Sequence, residues 1–393
     1  MKILAIETSF DETSAAVVED GNTLLSLVID SKIAPHVPYG GVIPEIAARN
    51  QIIDIIPVVD KTLQQAIVTW DDIDAIAVTQ GPGLLGSLLI GVITARTLAW
   101  SLNKPLYPVH HILGHIYANW IIKSTPTALG EGKKQLALPQ KTPQFPIMAL
   151  IVSGGHSQLM YARSHTDWRV IGRTQDDAVG EAFDKVAKVL GLPYPGGPSV
   201  SKAAESGDPT KYTLPMPSVH TEDPGLIELR GQLNDSPTPS TNEAQAIKNS
   251  STSASSYNFS FSGLKTAVLR AVQKEVGVAH DFPSFELAKK LTGQQVADFA
   301  ASFQAKAIEY LVTKTVAAYT EFHPKTVIIG GGVAASRPLR QSLSENIPIP
   351  IEYAPQVLCT DNAAMMGAVA YFASQNSGQS DPRTVEVIPS WPL

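Results

Sequence analysis

A single cysteine, Cys359, occurs among the 393 residues of this chain. One thiol excludes an intrachain disulfide, a Cys-rich structural zinc site and a self-contained iron–sulfur cluster. Charge is also sparse: 17% of residues are charged, and 30 basic against 36 acidic side chains leave a net charge of −6. The global field therefore opposes nucleic acid, so any such contact has to come from a local basic patch or from a partner. Long apolar runs are missing too. Spanning a bilayer needs roughly 20 apolar residues, and the nearest approach, residues 83–95, is broken by glycines and stopped by Arg96. Lys2 opens a short strand-like run that meets Glu7, Asp11 and Glu12 almost at once, unlike a secretory leader. No membrane contact and a cytoplasmic location are the expectations.

The length suits roughly two domains, and 44% hydrophobic residues are ordinary for a globular enzyme. Strands alternate with helices, which points to α/β layers. Residues 2–7 form an apolar strand followed by a polar turn, and strands at 15–19 and 23–29 return from it. Residues 45–65 carry helical apolar spacing at Ile46, Ile52, Ile53 and Ile56, with a break or kink expected at Pro57. A buried strand at 75–79 ends in Gly81-Pro82-Gly83, and a helix follows from about Ser87. The pattern then restarts with a strand at 146–152, the turn Ser153-Gly154-Gly155-His156-Ser157 and a returning strand at 158–162. A third such strand, 326–329, ends in Gly330-Gly331-Gly332. Two strand–turn–strand openings suggest a duplicated unit.

This reading gives an N-terminal lobe at 1–122, a surface insertion at 123–142 and a C-terminal lobe at 143–393. A further mobile insertion is expected at 221–256, and the C-terminal helix is one that can pack back on the N-terminal lobe. Both insertions are polar and poor in apolar period, so neither is expected to carry chemistry.

The most chemical stretch is Val109-His110-His111-Ile112-Leu113-Gly114-His115. His111 and His115 are four apart, so on a helix they share a face, one turn apart. Such a pair can hold one divalent metal, or it is merely a capped core feature. Zinc proteases place Glu after the first histidine as general base; here that position is Ile112. Asp11-Glu12 reads either as a solvated turn or as a carboxylate pair facing a metal or nucleophile. The glycine turns at 153–155 and 330–332 are either tight corners or backbone N–H cradles for phosphate. Neither is G-x-G-x-x-G and no P-loop occurs, which argues against Rossmann and P-loop folds. Asp184, beside Lys185 and Lys188, sits on an amphipathic helix, and Tyr194-Pro195-Gly196-Gly197-Pro198 is a rigid turn able to expose the Gly197 N–H. In Asn258-Phe259-Ser260-Phe261-Ser262-Gly263-Leu264-Lys265 a serine is read as N-cap of the following helix.

These motifs, with Ile6-Glu7-Thr8-Ser9-x-Asp11-Glu12-Thr13, Gly81-Pro82-Gly83-Leu84, Val152-Ser153-Gly154-Gly155-His156, Gly180-Glu181-Ala182-Phe183-Asp184-Lys185 and Thr360-Asp361-Asn362-Ala363-Ala364-Met365, run in order along the chain. Together they closely resemble the bacterial tRNA N6-threonylcarbamoyladenosine transferase family, TsaD, formerly labelled O-sialoglycoprotein endopeptidase. The resemblance implies an actin-like, sugar-kinase-like (ASKHA) fold of two ribonuclease-H-like lobes with a nucleotide-binding cleft. The implied reaction moves the threonylcarbamoyl group from threonylcarbamoyl-adenylate to the N6 amine of the adenosine beside the anticodon in tRNAs reading ANN codons, releasing AMP. It assigns one divalent metal, Fe(II) in the family with Zn(II) also fitting the ligands, to His111, His115 and Asp361. The adenylate, an ATP-type nucleotide, is placed against Ile151, Val152, Ser153, Gly154, Gly155, His156, Asp184, Gly197, Gly331, Gly332 and Ser336. Asp11 and Glu12 are the candidate catalytic carboxylates. Expected partners are tRNA, a metal-free paralogous subunit (TsaB-like) and a small P-loop ATPase (TsaE-like).

Three positions depart from the family pattern. Phe10 replaces the usual Cys before Asp-Glu, so no thiol chemistry belongs there. Gln51 replaces the usual His after the Pro-Glu-x-Ala-x-Arg run, which removes a metal or base role at that place. Ser336 replaces an Asn, with a shorter reach towards nucleotide. A non-catalytic nucleotide-binding scaffold is the rival reading, and a scaffold needs no His111/His115/Asp361 set. A sugar kinase of the same superfold is weakened by the lack of a sugar-pocket signature.

Overall fold

The computed structural model describes residues 1–32, 34–234 and 256–393. They form two compact units, one of Met1–Gln144, Gly330–Gly332 and Glu352–Leu393, the other of Phe145–Ile329 and Val333–Ile351.

The first unit is built on strands β1 (Lys2–Glu7), β2 (Glu12–Glu19), β3 (Thr23–Ser31), β4 (Ala75–Gly81), β5 (Leu106–His110) and β6 (Lys123–Ser124), in the order β5-β4-β1-β2-β3-β6. β1, β2 and β3 form an antiparallel meander, while β4 adds parallel to β1 and β5 parallel to β4. The side chains of β1, β2 and β4 are buried on both faces, which explains the near-continuous apolar runs. Leu4, Ile6, Ala15 and Val17 join Ile55 and Val59 of helix α1 (Pro44–Ala66) and Val92 of α2 (Leu85–Ser101) in one apolar cluster. The alternate residues Ala5 and Val18 meet a late helix, Ala363–Asn376. A Cβ added to its Gly367 would lie 2.8 Å from Val18, so only glycine permits that approach.

The second unit repeats the plan with β7 (Ile147–Val152), β8 (Ser157–Ala162), β9 (Trp168–Arg173), β10 (Thr326–Gly330) and β11 (Ile351–Glu352), ordered β11-β10-β7-β8-β9. Again an antiparallel meander, β7 to β9, receives a later strand at the outer edge of its first member. Among the described residues the remaining α-helices are α3 (His111–Tyr117), α4 (Val179–Leu190), α5 (Gly196–Ala204), α6 (Pro224–Asn234), α7 (Ser262–Glu275), α8 (Ser284–Leu287), α9 (Gly293–Phe322), α10 (Arg337–Asn346), α11 (Gln356–Cys359) and α12, the Ala363–Asn376 helix. Aromatic packing dominates the second core: Phe259, Phe261, Phe299, Phe303 and Tyr310 are all fully buried. The long α9 starts at a capping box, with Gln295 N–H donating to the Thr292 hydroxyl and Thr292 N–H to the Gln295 side chain.

The structure corrects several expectations. The C-terminal lobe does not run to 393: as expected of the C-terminal helix, α12 packs back on β1 and β2, and the whole of residues 352–393 goes with it to the first unit. The 123–142 stretch is not wholly a surface insertion. β6 pairs with β3, and the buried Ala128 carbonyl accepts from Leu27 N (2.7 Å) and Gln65 Nε2 (2.5 Å). In 221–256, residues 235–255 lie outside the described residues, but 221–234 is packed. There Leu226 and Leu229 are buried, Arg173 pairs with buried Asp223 (2.6 Å), and Arg230 pairs with Glu321 (2.6 Å). α1 is continuous through Pro57. Its Ile52, Ile53 and Ile56 are 61%, 70% and 54% exposed, whereas the face on the sheet uses Ala47, Gln51, Ile55, Val58, Val59 and Leu63. Both faces carry a helical period, and composition alone favours the wrong one. No serine caps α7; Asp176 does, accepting from Phe261 N (2.8 Å) and Ser262 N (3.2 Å).

Because Leu229 fills the second core, Leu229→Ala costs about 2–5 kcal/mol for a fully buried leucine. Urea denaturation of the two proteins checks this; equal midpoints would show that 221–234 contributes no packing.

Candidate metal centre and nucleotide site

The metal candidates assemble entirely within the first unit. β4 and β5 run parallel, so the chain leaves β5 at the same sheet end where the turn after β1 emerges. His111 is the first residue of α3, and His115 follows one turn later on the same helix; both rings are buried, their centroids 4.9 Å apart. Asp361 arrives from the opposite end of the sequence, in the turn between α11 and α12. Asn362 holds that turn: its Oδ1 accepts from Met365 N (3.1 Å) to cap α12, and its Nδ2 donates to the Leu358 (3.2 Å) and Thr360 (2.8 Å) carbonyls. The Asp361 Oδ1 then lies 3.3 Å from His115 Nε2 and 3.6 Å from His111 Nε2. One ligand atom from each of the three lies within 4.8 Å of the others.

This donor set fits a divalent cation. Two imidazoles and a carboxylate suit iron(II) or zinc(II), with coordination positions left open. Nδ1 of the buried His115 makes no hydrogen bond and its Nε2 has only the Asp361 carboxylate beside it at 3.3 Å, an arrangement that suits a cation between them. Burial disfavours protonation of His111, but the Asp361 and Glu7 carboxylates outweigh it and hold the imidazole above its usual range. Ile112, between the two histidines, is buried apolar core and places no base at the site.

Asp11 and Glu12 border the same place. Burial raises both carboxyls, and for Glu12 the charges of Asp361 and Asp11 push further in the same direction, well above the ordinary range. Gln51 anchors the turn carrying them. Its buried Nε2 donates to the Phe10 (2.8 Å) and Glu12 (3.0 Å) carbonyls, with the Thr8 carbonyl at 3.4 Å. Phe10 packs its ring 5.3 Å from that of His111.

Most of the expected nucleotide residues gather in the second unit. Ile151 and Val152 are buried at the end of β7, and the Ser153-Gly154-Gly155-His156 turn closes through Ser153 N to His156 O (2.8 Å) and His156 N to Ser153 Oγ (3.1 Å). Helix α4 starts against this turn, since a Cβ at Gly180 would stand 2.5 Å from the Ser153 carbonyl. One turn along α4, Asp184 accepts from Gly196 N (2.7 Å), and burial raises its carboxyl. Gly154, Gly155 and Gly197 face open space, so their backbones are approachable. Gly330–Gly332 clusters with the first unit, with Gly331 at φ +88°. The Ser336 hydroxyl instead caps α10, accepting from Leu339 N at 3.5 Å.

Sequence reasoning missed Glu7, Ser9 and Asn362 as site-building residues. Thr360-Asp361-Asn362 ahead of an apolar run was a legible N-cap signal for the last. It also passed over Gly81, Gly83 and Gly86, which spell G-x-G-x-x-G literally. Cβ atoms there would meet the Ile388 carbonyl at 1.8 Å, Ser9 at 2.6 Å and Ala48 at 3.2 Å, so these glycines serve close packing within the first unit.

The fold and this donor set define an actin-like, sugar-kinase-like α/β protein with a His–His–Asp cluster able to hold a metal. Full-length HypF in its phosphate- and nucleotide-bound form resembles it in fold alone, at 12% identity over 95% of this chain and 46% of HypF, with a TM-score of 0.50. The family model for TsaD, tRNA N6-adenosine threonylcarbamoyltransferase, matches residues 23–368. The protein of that name from Thermomicrobium roseum is 45% identical over 97% of this chain and 94% of its own length. Those from Moorella thermoacetica and Bacillus subtilis are 42% and 41% identical, covering 100% and 95% of this chain and 97% and 90% of their own lengths. The chain belongs to the tRNA N6-adenosine threonylcarbamoyltransferase family.

Gln51→Leu strands the Phe10 and Glu12 carbonyls, at about 1–3 kcal/mol for each buried group left unpaired. We expect a lower thermal midpoint and faster amide exchange within residues 8–12; unchanged exchange there would show that the turn holds itself.

Proposed function

We propose that this chain is the transferase that moves threonylcarbamoyl from threonylcarbamoyl-adenylate to the N6 amine of the adenosine adjacent to the anticodon in tRNAs reading ANN codons. Family membership over nearly the full chain, with the His111/His115/Asp361 set intact, carries this reading and disfavours a non-catalytic scaffold. In the reaction the amine nitrogen forms a bond to the carbamoyl carbon. The bond from that carbon to the phosphate oxygen breaks, and AMP leaves with its electron pair. His111, His115 and Asp361 would hold a divalent ion, Fe(II) or Zn(II), which when bound would supply Lewis acidity.

The protein's other residues bind, orient and take up a proton. The open Gly154 and Gly155 backbone, beside the start of α4, presents N–H groups to the adenylate phosphate, and Asp184 and Gly197 flank the nucleoside. The Gly331-Gly332 loop contributes on the nucleotide side, while capping duty limits what Ser336 offers. Asp11 takes the amine proton or orients the threonyl group. Its raised affinity for a proton, and that of Glu12, suit a carboxylate acting as base.

The partners include a metal-free TsaB-like paralogue, a TsaE-like P-loop ATPase and tRNA. The exposed apolar residues of two packed helices, Ile52, Ile53 and Ile56 on α1 with Leu85, Leu89 and Ile93 on α2, support a protein partner on that side of the first unit. No helix among the described residues is long and apolar enough to cross a membrane, and we place the protein in the cytoplasm.

His111→Ala combined with His115→Ala should abolish modification of an ANN-decoding tRNA when partners and adenylate are supplied, with the far-ultraviolet circular dichroism retained. Full activity in that variant would remove the metal role. Ile53→Glu with Leu89→Glu should leave the melting temperature near wild type, since surface changes stay within about 0.5 kcal/mol, and should prevent co-elution with the TsaB-like paralogue. Unaltered co-elution would place that partner elsewhere.

A further inference from the structure

Glu7 is buried, an acid at the very end of a central strand whose other buried residues, Ile3 to Ile6, are all apolar. Burying a carboxylate there is expensive unless its oxygens are bonded and its charge is answered. The oxygens are bonded. Oε1 accepts from Ser9 N at 2.5 Å, and Oε2 accepts from the buried Thr79 hydroxyl of neighbouring β4. The charge has one answer: the only basic side chain paired with Glu7 among the described residues is His111, whose Nδ1 lies 3.3 Å from Oε2. Ser9 Oγ, 3.0 Å from the same nitrogen, completes the arrangement.

The orientation is informative. Nδ1 of His111 faces Glu7 and Ser9, while Nε2 faces Asp361 and the neighbouring His115. A neutral imidazole carries one N–H and one lone pair. An acceptor fixed at Nδ1 keeps the proton there and leaves the lone pair on Nε2, aimed into the donor cluster. Metal-binding histidines commonly receive this kind of support, which fixes the ring and strengthens the ligand.

We propose that Glu7, pinned by Ser9 N and Thr79, is a positioning residue that sets the ring orientation and tautomer of His111 for metal binding. The inference rests on the reading of His111, His115 and Asp361 as metal ligands. It adds to that reading two strands' worth of structure. β1 and β4 pair parallel in register through Ile6 and Val78, and this pairing brings Glu7 and Thr79 side by side.

The test measures affinity of the full-length chain for Zn(II) by competition with a chromophoric chelator, and the absorption spectrum of the Co(II)-loaded chain. Wild type should bind one ion and His115→Ala should lose it. Glu7→Gln should weaken Zn(II) binding about 10–100-fold, the usual effect of removing such a support, and should shift the Co(II) bands. Thr79→Val keeps the carboxylate but frees one oxygen, and should weaken binding in the same direction by less. A purely structural role for Glu7 predicts altered melting of the metal-free proteins with wild-type affinity and spectrum in both variants, and that result overturns the proposal. Failure of wild type itself to bind either ion overturns the metal reading along with it.

Discussion

The first unit depends on placing ionisable groups where water cannot reach them. Glu7, His111 and His115 are all buried, next to a sheet that is apolar on both faces, and Asp361 is largely covered. Such groups are stable only if each finds a partner, so their positions are mutually determined. Ser9 and Thr79 fix Glu7, Glu7 faces His111, and Asp361 meets both histidines. Asp361 reaches that position only because the last forty or so residues return to the first unit, where glycine at 367 lets α12 approach β1 and β2. The return of residues 352–393 to the first unit thus completes the candidate metal site.

The two units differ in how their candidate site turns are supported. Around the metal residues the turns are tied down by side chains: Gln51 grips the turn that carries Asp11, and Asn362 grips the one that carries Asp361. Around the expected phosphate position the backbone is bare, with Gly154, Gly155 and Gly197 facing open space. Fixed ligands suit an ion that demands a set geometry, and open N–H groups suit a flexible anionic group.

Much of the fold was legible. The strand–turn–strand openings near residues 1 and 146 became matching meanders, because short apolar runs bounded by a polar turn are local signals. The helix over 44–66 was legible as a helix but not in its orientation. Ile52, Ile53 and Ile56 are more apolar than Gln51 and Thr62, yet the latter are buried. Gln51 is inside because the carbonyls of residues 8–12 need a donor there, a demand that belongs to another segment. For the same reason Glu7 read only as part of a motif: its meaning lies in Thr79 and His111, which pairing of β1, β4 and β5 places beside it.

The sequence by itself determined the His111–His115 pair, one turn apart with an apolar Ile112 where a protease base belongs, because helical spacing is a local property. It also carried the ordered motifs that mark the family. The family motifs already named Asp361 as the third member of the set; only the tertiary structure decided how it arrives there, that the whole of residues 352–393 belongs to the first unit, and that His111 turns Nε2 towards Asp361. Those outcomes depend on burial and on hydrogen bonds between distant segments, and no local pattern encodes which buried carboxylate will face which ring nitrogen.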